Sequence, residues 1–183
     1  MYPYTTSQVD VEIDRLNSHH FKVWLPLTGK LIPTSILSHL KQCPSPRVAD
    51  VATGTGAWLS SFAEQISPGA EMWGFDLDVT KFPLQNMNVP NLRFHQHDVL
   101  YPFPEEMHGK FDLVHVRLLV LGLKDDEWAT AVRNSIALLK PGAWIFWEEL
   151  PQVSVRTLPP SRTFDEWWRV HITYGVEIGR DPL

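Results

Sequence analysis

Cysteine is almost missing from this chain: Cys43 is the single one in 183 residues. An internal disulfide is excluded, and a reducing, cytoplasmic setting is expected. Cys43 sits in a linker-like stretch, Gln42-Cys43-Pro44-Ser45-Pro46, and is read as inert rather than nucleophilic. Basic residues are outnumbered, 16 Lys and Arg against 21 Asp and Glu, for a net charge of −5. With no basic cluster, nucleic acid is not expected as a ligand. Long apolar runs are lacking too. The longest, Val116 to Leu123, is broken by Arg117 and falls far short of the roughly 20 residues a membrane span needs, so no membrane partner is expected. Residues 1–7 (MYPYTTS) carry neither the basic nor the apolar region of a secretory leader. No Gly-Lys-Ser/Thr follows the glycines, which sets aside a nucleoside triphosphatase. No internal repeat and no low-complexity tract interrupts the chain.

What is present suits one α/β domain. Apolar residues make up 44% of the chain, and the eight tryptophans suggest aromatic-rich packing. Val9, Ile13, Leu16 and His20 fall at helical spacing, with Ser7 as the predicted N-cap, and a second helix is predicted from Pro33. Pro44-Ser45-Pro46 then divides the chain into a helical cap, residues 1–46, and an α/β unit, residues 47–183. In that unit strands are predicted over Val48–Ala52, Glu71–Asp76, Leu92–His97, Phe111–Val116 and Ala143–Glu149. The first helix runs to Ile66. A proline- and asparagine-rich connection after the second strand has room for one short turn. A helix through Trp128, Val132, Ile136 and Leu139 is expected to be capped by Asp125 or Asp126 and stopped by Lys140-Pro141-Gly142. A last helix covers Ser161 to Ile178. This alternation implies a Rossmann-like parallel sheet with helices on both faces.

Residues 47–59 are the most informative stretch. An apolar run ends at Asp50, then Thr53-Gly54-Thr55-Gly56 turns into a helix whose free N–H groups face any ligand there. A second apolar run ends in Asp76, whose carboxylate suits the two hydroxyls of a ribose. Asp98 has the chemistry to accept from an adenine amine. Asp76, Asp98, Asp112 and Glu148 are all read as standing at or near the C-terminal ends of strands, where open parallel sheets bind ligands. Asp112 is taken as a partner for backbone rather than a catalyst. Of Glu148 and Glu149, one is expected to face the pocket. His115 and Arg117 leave two readings open: a pair that orients an acidic substrate, or an exposed, solvated pair. A nicotinamide cofactor is disfavoured, because Leu59 is too bulky for the third glycine position counted from Gly54, and counting from Ala52 yields a degraded pattern. His95 and His97 have no partners to complete a metal site, so no metal is expected. Of Trp167 and Trp168, one is expected on the sheet and the other toward the pocket or a partner.

Val48-Ala49-Asp50-Val51-Ala52-Thr53-Gly54-Thr55-Gly56 resembles motif I of the class I S-adenosylmethionine-dependent methyltransferases. Phe75-Asp76-Leu77, Gln96-His97-Asp98-Val99, Lys110 to Arg117 and Leu138 to Ala143 are similar to the later motifs of that family, in the same order. Asp14-Arg15-Leu16-Asn17, His20 and Leu27 to Leu31 resemble the N-terminal helices of fungal small-molecule methyltransferases and secondary-metabolism regulators. The resemblance implies S-adenosylmethionine as cofactor, a small-molecule methyl acceptor, and methyl transfer in secondary metabolism. It implies cofactor contacts at Asp50, Ala52, Thr53, Gly54 and Gly56 around the first turn. Further contacts fall at Asp76 and Leu77, at Asp98 and Val99, and at His115. Substrate contacts are implied at His20, Trp24 and Arg117, with His19 and Phe21 also bordering the site. No catalytic residue is assigned, although His20 is a candidate base. The family's first motif usually carries glycine where this chain has Ala52, and alanine is expected to hold ordinary strand geometry there. The family's closing antiparallel hairpin has no counterpart before Leu183, which leaves the fifth strand as an edge. A homodimer or a complex with another subunit is expected through that edge. The alternatives to a methyltransferase are a cofactor-binding regulatory or partner subunit, or a related fold catalysing a non-methylating biosynthetic step.

Overall fold

The computed structural model describes residues 6–83, 91–120, 122–150 and 155–180. Helix α1 (Thr6–His19) continues without a break into one π-helical turn, His20–Trp24, and then into the short α2 (Leu25–Thr28). Ser7 lies inside α1 rather than capping it. Helix α3 (Thr34–Gln42) starts directly after Pro33, as its sequence predicts. Strand β1 (Arg47–Val51) and helix α4 (Ala57–Ala63) follow, then β2 (Glu71–Asp76), β3 (Leu92–Gln96) and β4 (Phe111–Arg117). Helix α5 (Trp128–Ala137), strand β5 (Leu139–Glu148) and helix α6 (Arg162–Glu177) complete the chain order. The turn expected after β2 is a single 3-10 turn, Val79–Lys81; residues 84–90 of that connection lie outside the described residues.

The five strands are parallel and ordered β3-β2-β1-β4-β5. Side chains alternate between two packed layers, as strand geometry demands. Val48 and Leu113 pack with Trp58, Leu59 and Phe62 of α4 and with Ile36 and Leu40 of α3. Ala49, Val51, Val114 and Val116 pack on the other face, with Ala131 and Leu138. Asp50 is in register with His115, and Arg117 with Glu148. On β4 the alternation carries Leu113, His115 and Arg117 to the face shared with α4 and the cap.

Three further helix boundaries differ from expectation, the first being the end of α4, at Ala63 rather than Ile66. Glu127, not Asp125 or Asp126, is the residue before α5, and its carboxylate accepts from Lys124 N at 2.8 Å. Lys140-Pro141-Gly142 does not stop α5, which ends at Ala137; the tripeptide lies within β5, beside a register shift opposite Phe111–Leu113. An edge strand tolerates proline there because its missing N–H breaks no inner ladder. Asp112 is the second residue of β4 and therefore stands at the opposite end of the sheet from the expected ligand site. It accepts from Arg47 N at 2.8 Å and from Lys140 Nζ at 2.8 Å, the backbone role anticipated for it. No residue of α6 is buried, so neither Trp167 nor Trp168 is buried against the sheet.

Candidate active site

A cavity of about 570 Å³ opens beyond the C-terminal ends of the strands, lined from both the cap and the α/β unit. Its volume falls in the range typical of small-molecule sites. Asp50, Ala52, Thr53 and Gly54 form its floor, Asp76, Leu77, Asp98 and Val99 one side, and His115 and Arg117 the other. Gly56 does not line it. That residue has φ +72°, and a Cβ there would meet Phe94 Cζ at 2.5 Å, so glycine is required for the turn itself. Ala52 departs from the strand geometry expected of it: φ is +60°, in the left-handed region. An L-residue with a Cβ pays roughly 1–2 kcal/mol for that conformation, which explains physically why glycine would suit the position.

Asp76 is buried at the end of β2. Its Oδ2 accepts from Gly54 N at 2.8 Å and its Oδ1 from Asp78 N at 2.9 Å, with Lys81 Nζ at 3.4 Å. The glycine turn is thus tied to the neighbouring strand by the same carboxylate that faces the cavity. Asp98 Oδ1 closes its own turn by accepting from Leu100 N at 2.9 Å.

The opposite side is a chain of buried polar contacts. Thr53 Oγ1 donates to Asp50 Oδ2 at 2.6 Å. His115 Nδ1 lies 2.6 Å from Asp50 Oδ1, and its Nε2 lies 3.1 Å from Glu148 Oε2. The ring is 1% exposed and stacked on Trp58 with centroids 3.8 Å apart. Trp24 Nε1 donates to Glu148 Oε1 at 3.3 Å. Arg117 Nη2 donates to His20 Nδ1 at 3.1 Å, and the guanidinium lies over the Trp24 ring at 5.3 Å. An arginine has only donors, so His20 Nδ1 accepts and its Nε2 donates to Ser61 Oγ at 3.0 Å. Burial, reinforced by Arg117, holds the His20 pKa down to about 4. With both nitrogens engaged and so little basicity, His20 is unsuited to the role of base. Burial also lowers the pKa of Arg117.

Other expectations are corrected. His115 and Arg117 lie within β4, and the reading of an exposed, solvated pair does not hold. Trp24 is buried beneath Arg117 and does not line the cavity; Phe21 is exposed. Neither Glu148 nor Glu149 lines the cavity. Glu148 is turned to His115 and Trp24, whereas Glu149 accepts from Leu119 N at 2.9 Å and Val120 N at 3.2 Å. Trp167 and Trp168 also stand apart from it. His97 lines it while stacking on Phe103, and His95 stacks on Trp73. Among the described residues no group of three His, Cys, Asp or Glu is placed to hold a metal. Leu16 and Lys81 are cavity residues that sequence reasoning missed. Leu16 was readable as the apolar stripe of α1, and its Cδ1 would lie 3.5 Å from a Cβ on Gly54.

Residues 48–142, more than half of the chain, match the family model described as a methyltransferase domain. The chain is 36% identical over 182 residues to the methyltransferase grgD of a Penicillium species, covering 92% of this chain and 61% of that protein. It is 28% identical over 172 residues to the N-methyltransferase tcpN of Claviceps purpurea, covering 93% and 60%. The chain therefore spans about three-fifths of the length of these relatives. A crystal structure of a SAM dependent methyltransferase from Aquifex aeolicus superposes with a TM-score of 0.60 at 16% identity, over 86% of this chain and 79% of that one, a likeness of fold. By the extent of the match at residues 48–142, this chain belongs to the methyltransferase domain family.

Proposed function

We propose that this protein uses S-adenosylmethionine to methylate a small-molecule acceptor in secondary metabolism. The observation that carries this reading is a single cavity spanning the Asp76–Asp98 side, the Thr53–Gly54 turn and the Arg117 side. Its donor and acceptor set fits the cofactor: a buried carboxylate for ribose hydroxyls, a glycine turn for close backbone approach, and Asp98 for the adenine amine. When bound, the cofactor supplies a methyl group already activated on a sulfonium. The residues of this chain have to bind and orient the partners and exclude water, and orientation alone supplies much of the acceleration. Asp50, Thr53 and His115 hold one another rigid beneath the cavity. Leu16, His19 and His20 close it from the cap, so residues 1–46 act as a lid segment and residues 47–183 as the cofactor-binding unit. The lone Cys43 supports a reducing, cytoplasmic location, and no described helix is long and apolar enough to cross a membrane.

A second reading, a cofactor-binding subunit that needs a partner for turnover, is favoured by the partly exposed edge strand β5. Calorimetry with S-adenosylmethionine and S-adenosylhomocysteine tests the common part of both readings, with binding expected for each ligand. Absence of binding to both compounds overturns them together. Methyl transfer with and without added partner then separates the two.

A further inference from the structure

The guanidinium of Arg117 is enclosed in the cavity wall without a counter-anion in contact. Nη2 donates to His20 Nδ1, a neutral ring above about pH 4. The Trp24 face stabilises a cation but does not neutralise it. Nη1 is buried with no hydrogen-bond partner. Register sets Glu148 beside Arg117, yet both Glu148 oxygens are used, one by His115 and one by Trp24. Asp50 is likewise held by Thr53 and His115. Among the described residues no carboxylate forms an ion pair with Arg117 within 4.0 Å. Asp50 and Glu148 favour the charge of Arg117 from beyond contact distance, but neither occupies its planar fork, which matches a carboxylate in two parallel hydrogen bonds.

We propose that Arg117 receives the carboxylate of an acidic methyl acceptor. This rests on the reading of the cavity as a methyl-transfer site. Position in the sheet separates the group from the nucleoside end of the cofactor. Asp76 ends β2 and Asp98 follows β3, whereas Arg117 ends β4 on the far side of β1, against His20 of the cap. The acceptor class is therefore one bearing a carboxylate, held where cap and sheet meet.

The test compares the whole chain with Arg117→Met and Arg117→Lys, using benzoate and benzamide as probes in calorimetric titrations, with and without saturating S-adenosylhomocysteine. The unaltered chain is expected to bind benzoate at least tenfold more tightly than benzamide. Arg117→Met abolishes that preference, and Arg117→Lys, which keeps the charge but not the fork, retains part of it. Near-ultraviolet circular dichroism verifies that each variant is folded. Equal affinity of the unaltered chain for the two probes overturns the proposal, as does a preference that survives Arg117→Met. A parallel titration compares S-adenosylhomocysteine with methylthioadenosine, which lacks the carboxylate. If Arg117→Met weakens only S-adenosylhomocysteine, the guanidinium serves the cofactor's tail and the proposal also falls. Failure of the unaltered chain to bind either adenosyl compound removes the methyltransferase reading instead, while the titration without them still reports on Arg117.

Discussion

Three residues lining the cavity have properties their side chains alone do not announce. The acid that ends an apolar run marks Asp76 as a candidate ribose ligand, but its bond to Gly54 N is not visible in the sequence, since that contact crosses from β2 to the turn after β1. Asp76→Ala is expected to weaken S-adenosylhomocysteine binding by about 1–3 kcal/mol, the cost of stranding hydrogen-bonding groups; calorimetry showing unchanged affinity refutes the assignment. Ala52 was read as strand-like because alanine fits a strand, whereas the turn forces φ to +60°. Ala52→Gly relieves about 1–2 kcal/mol of strain and gives back about 0.5–1 kcal/mol in unfolded-chain entropy. The expected outcome is a stability equal to or slightly above that of the parent in urea unfolding, and a clear loss contradicts it. His20 has its pKa held at about 4 in the folded chain, against about 6.5 when unfolded. The unfolded state therefore takes up the proton first, and stability drops as pH falls from about 6.5 toward 4. Between pH 7 and pH 5 this group removes about 2 kcal/mol. His20→Gln should flatten the pH dependence of the urea midpoint by that amount; an unchanged slope refutes it.

At the scale of elements, β4 explains why the site was half visible. Its period-2 pattern put Leu113, His115 and Arg117 on one face and Val114 and Val116 on the other. The sequence shows that pattern, but not that His115 and Arg117 would be enclosed by α4 and the π-helical turn His20–Trp24. Such a turn has no sequence signature, and it is what aims His20 at Arg117 and Trp24 at Glu148. The segment after β4 is held by Glu149, which takes Leu119 N and Val120 N from below the rim of the cavity. Burial raises the Glu149 pKa, offset by the Trp147 and backbone hydrogen bonds. Its contribution to stability therefore runs opposite to that of His20, declining as pH rises from the unfolded value. Glu149→Gln replaces an acceptor oxygen with a donor and is expected to cost about 1–3 kcal/mol. Amide hydrogen exchange at Leu119 and Val120 should quicken selectively, and unchanged exchange there argues against the clamp.

For the molecule as a whole, alternation of β and α segments was sufficient to read the parallel sheet, and the ends of β1 to β4 fell within about a residue of expectation, whereas β5 begins at Leu139 rather than Ala143. Partner choice was harder. The cap–sheet contacts, Asn17 with Thr55 and Trp24 with Glu148, join residues 38 and 124 positions apart, and no local pattern encodes such distances. α6 was readable as a helix from its Ser161 cap, yet not as a helix lacking any buried residue. Among the described residues strand β5 has β4 on one side and is a sheet edge on the other, with Trp144 40% exposed. Edges of that kind recruit further strands, so this 183-residue chain should self-associate at micromolar concentration; light scattering on a sizing column that returns only a monomer counts against it.

The face-to-face contact of Trp58 with His115 has a spectroscopic consequence. An imidazole lying flat over an indole feels its ring current, so the carbon-bound protons of His115 should resonate upfield of those of a histidine in an unfolded chain. That shift would be an internal beacon for events in the cavity, visible without any label or added chromophore.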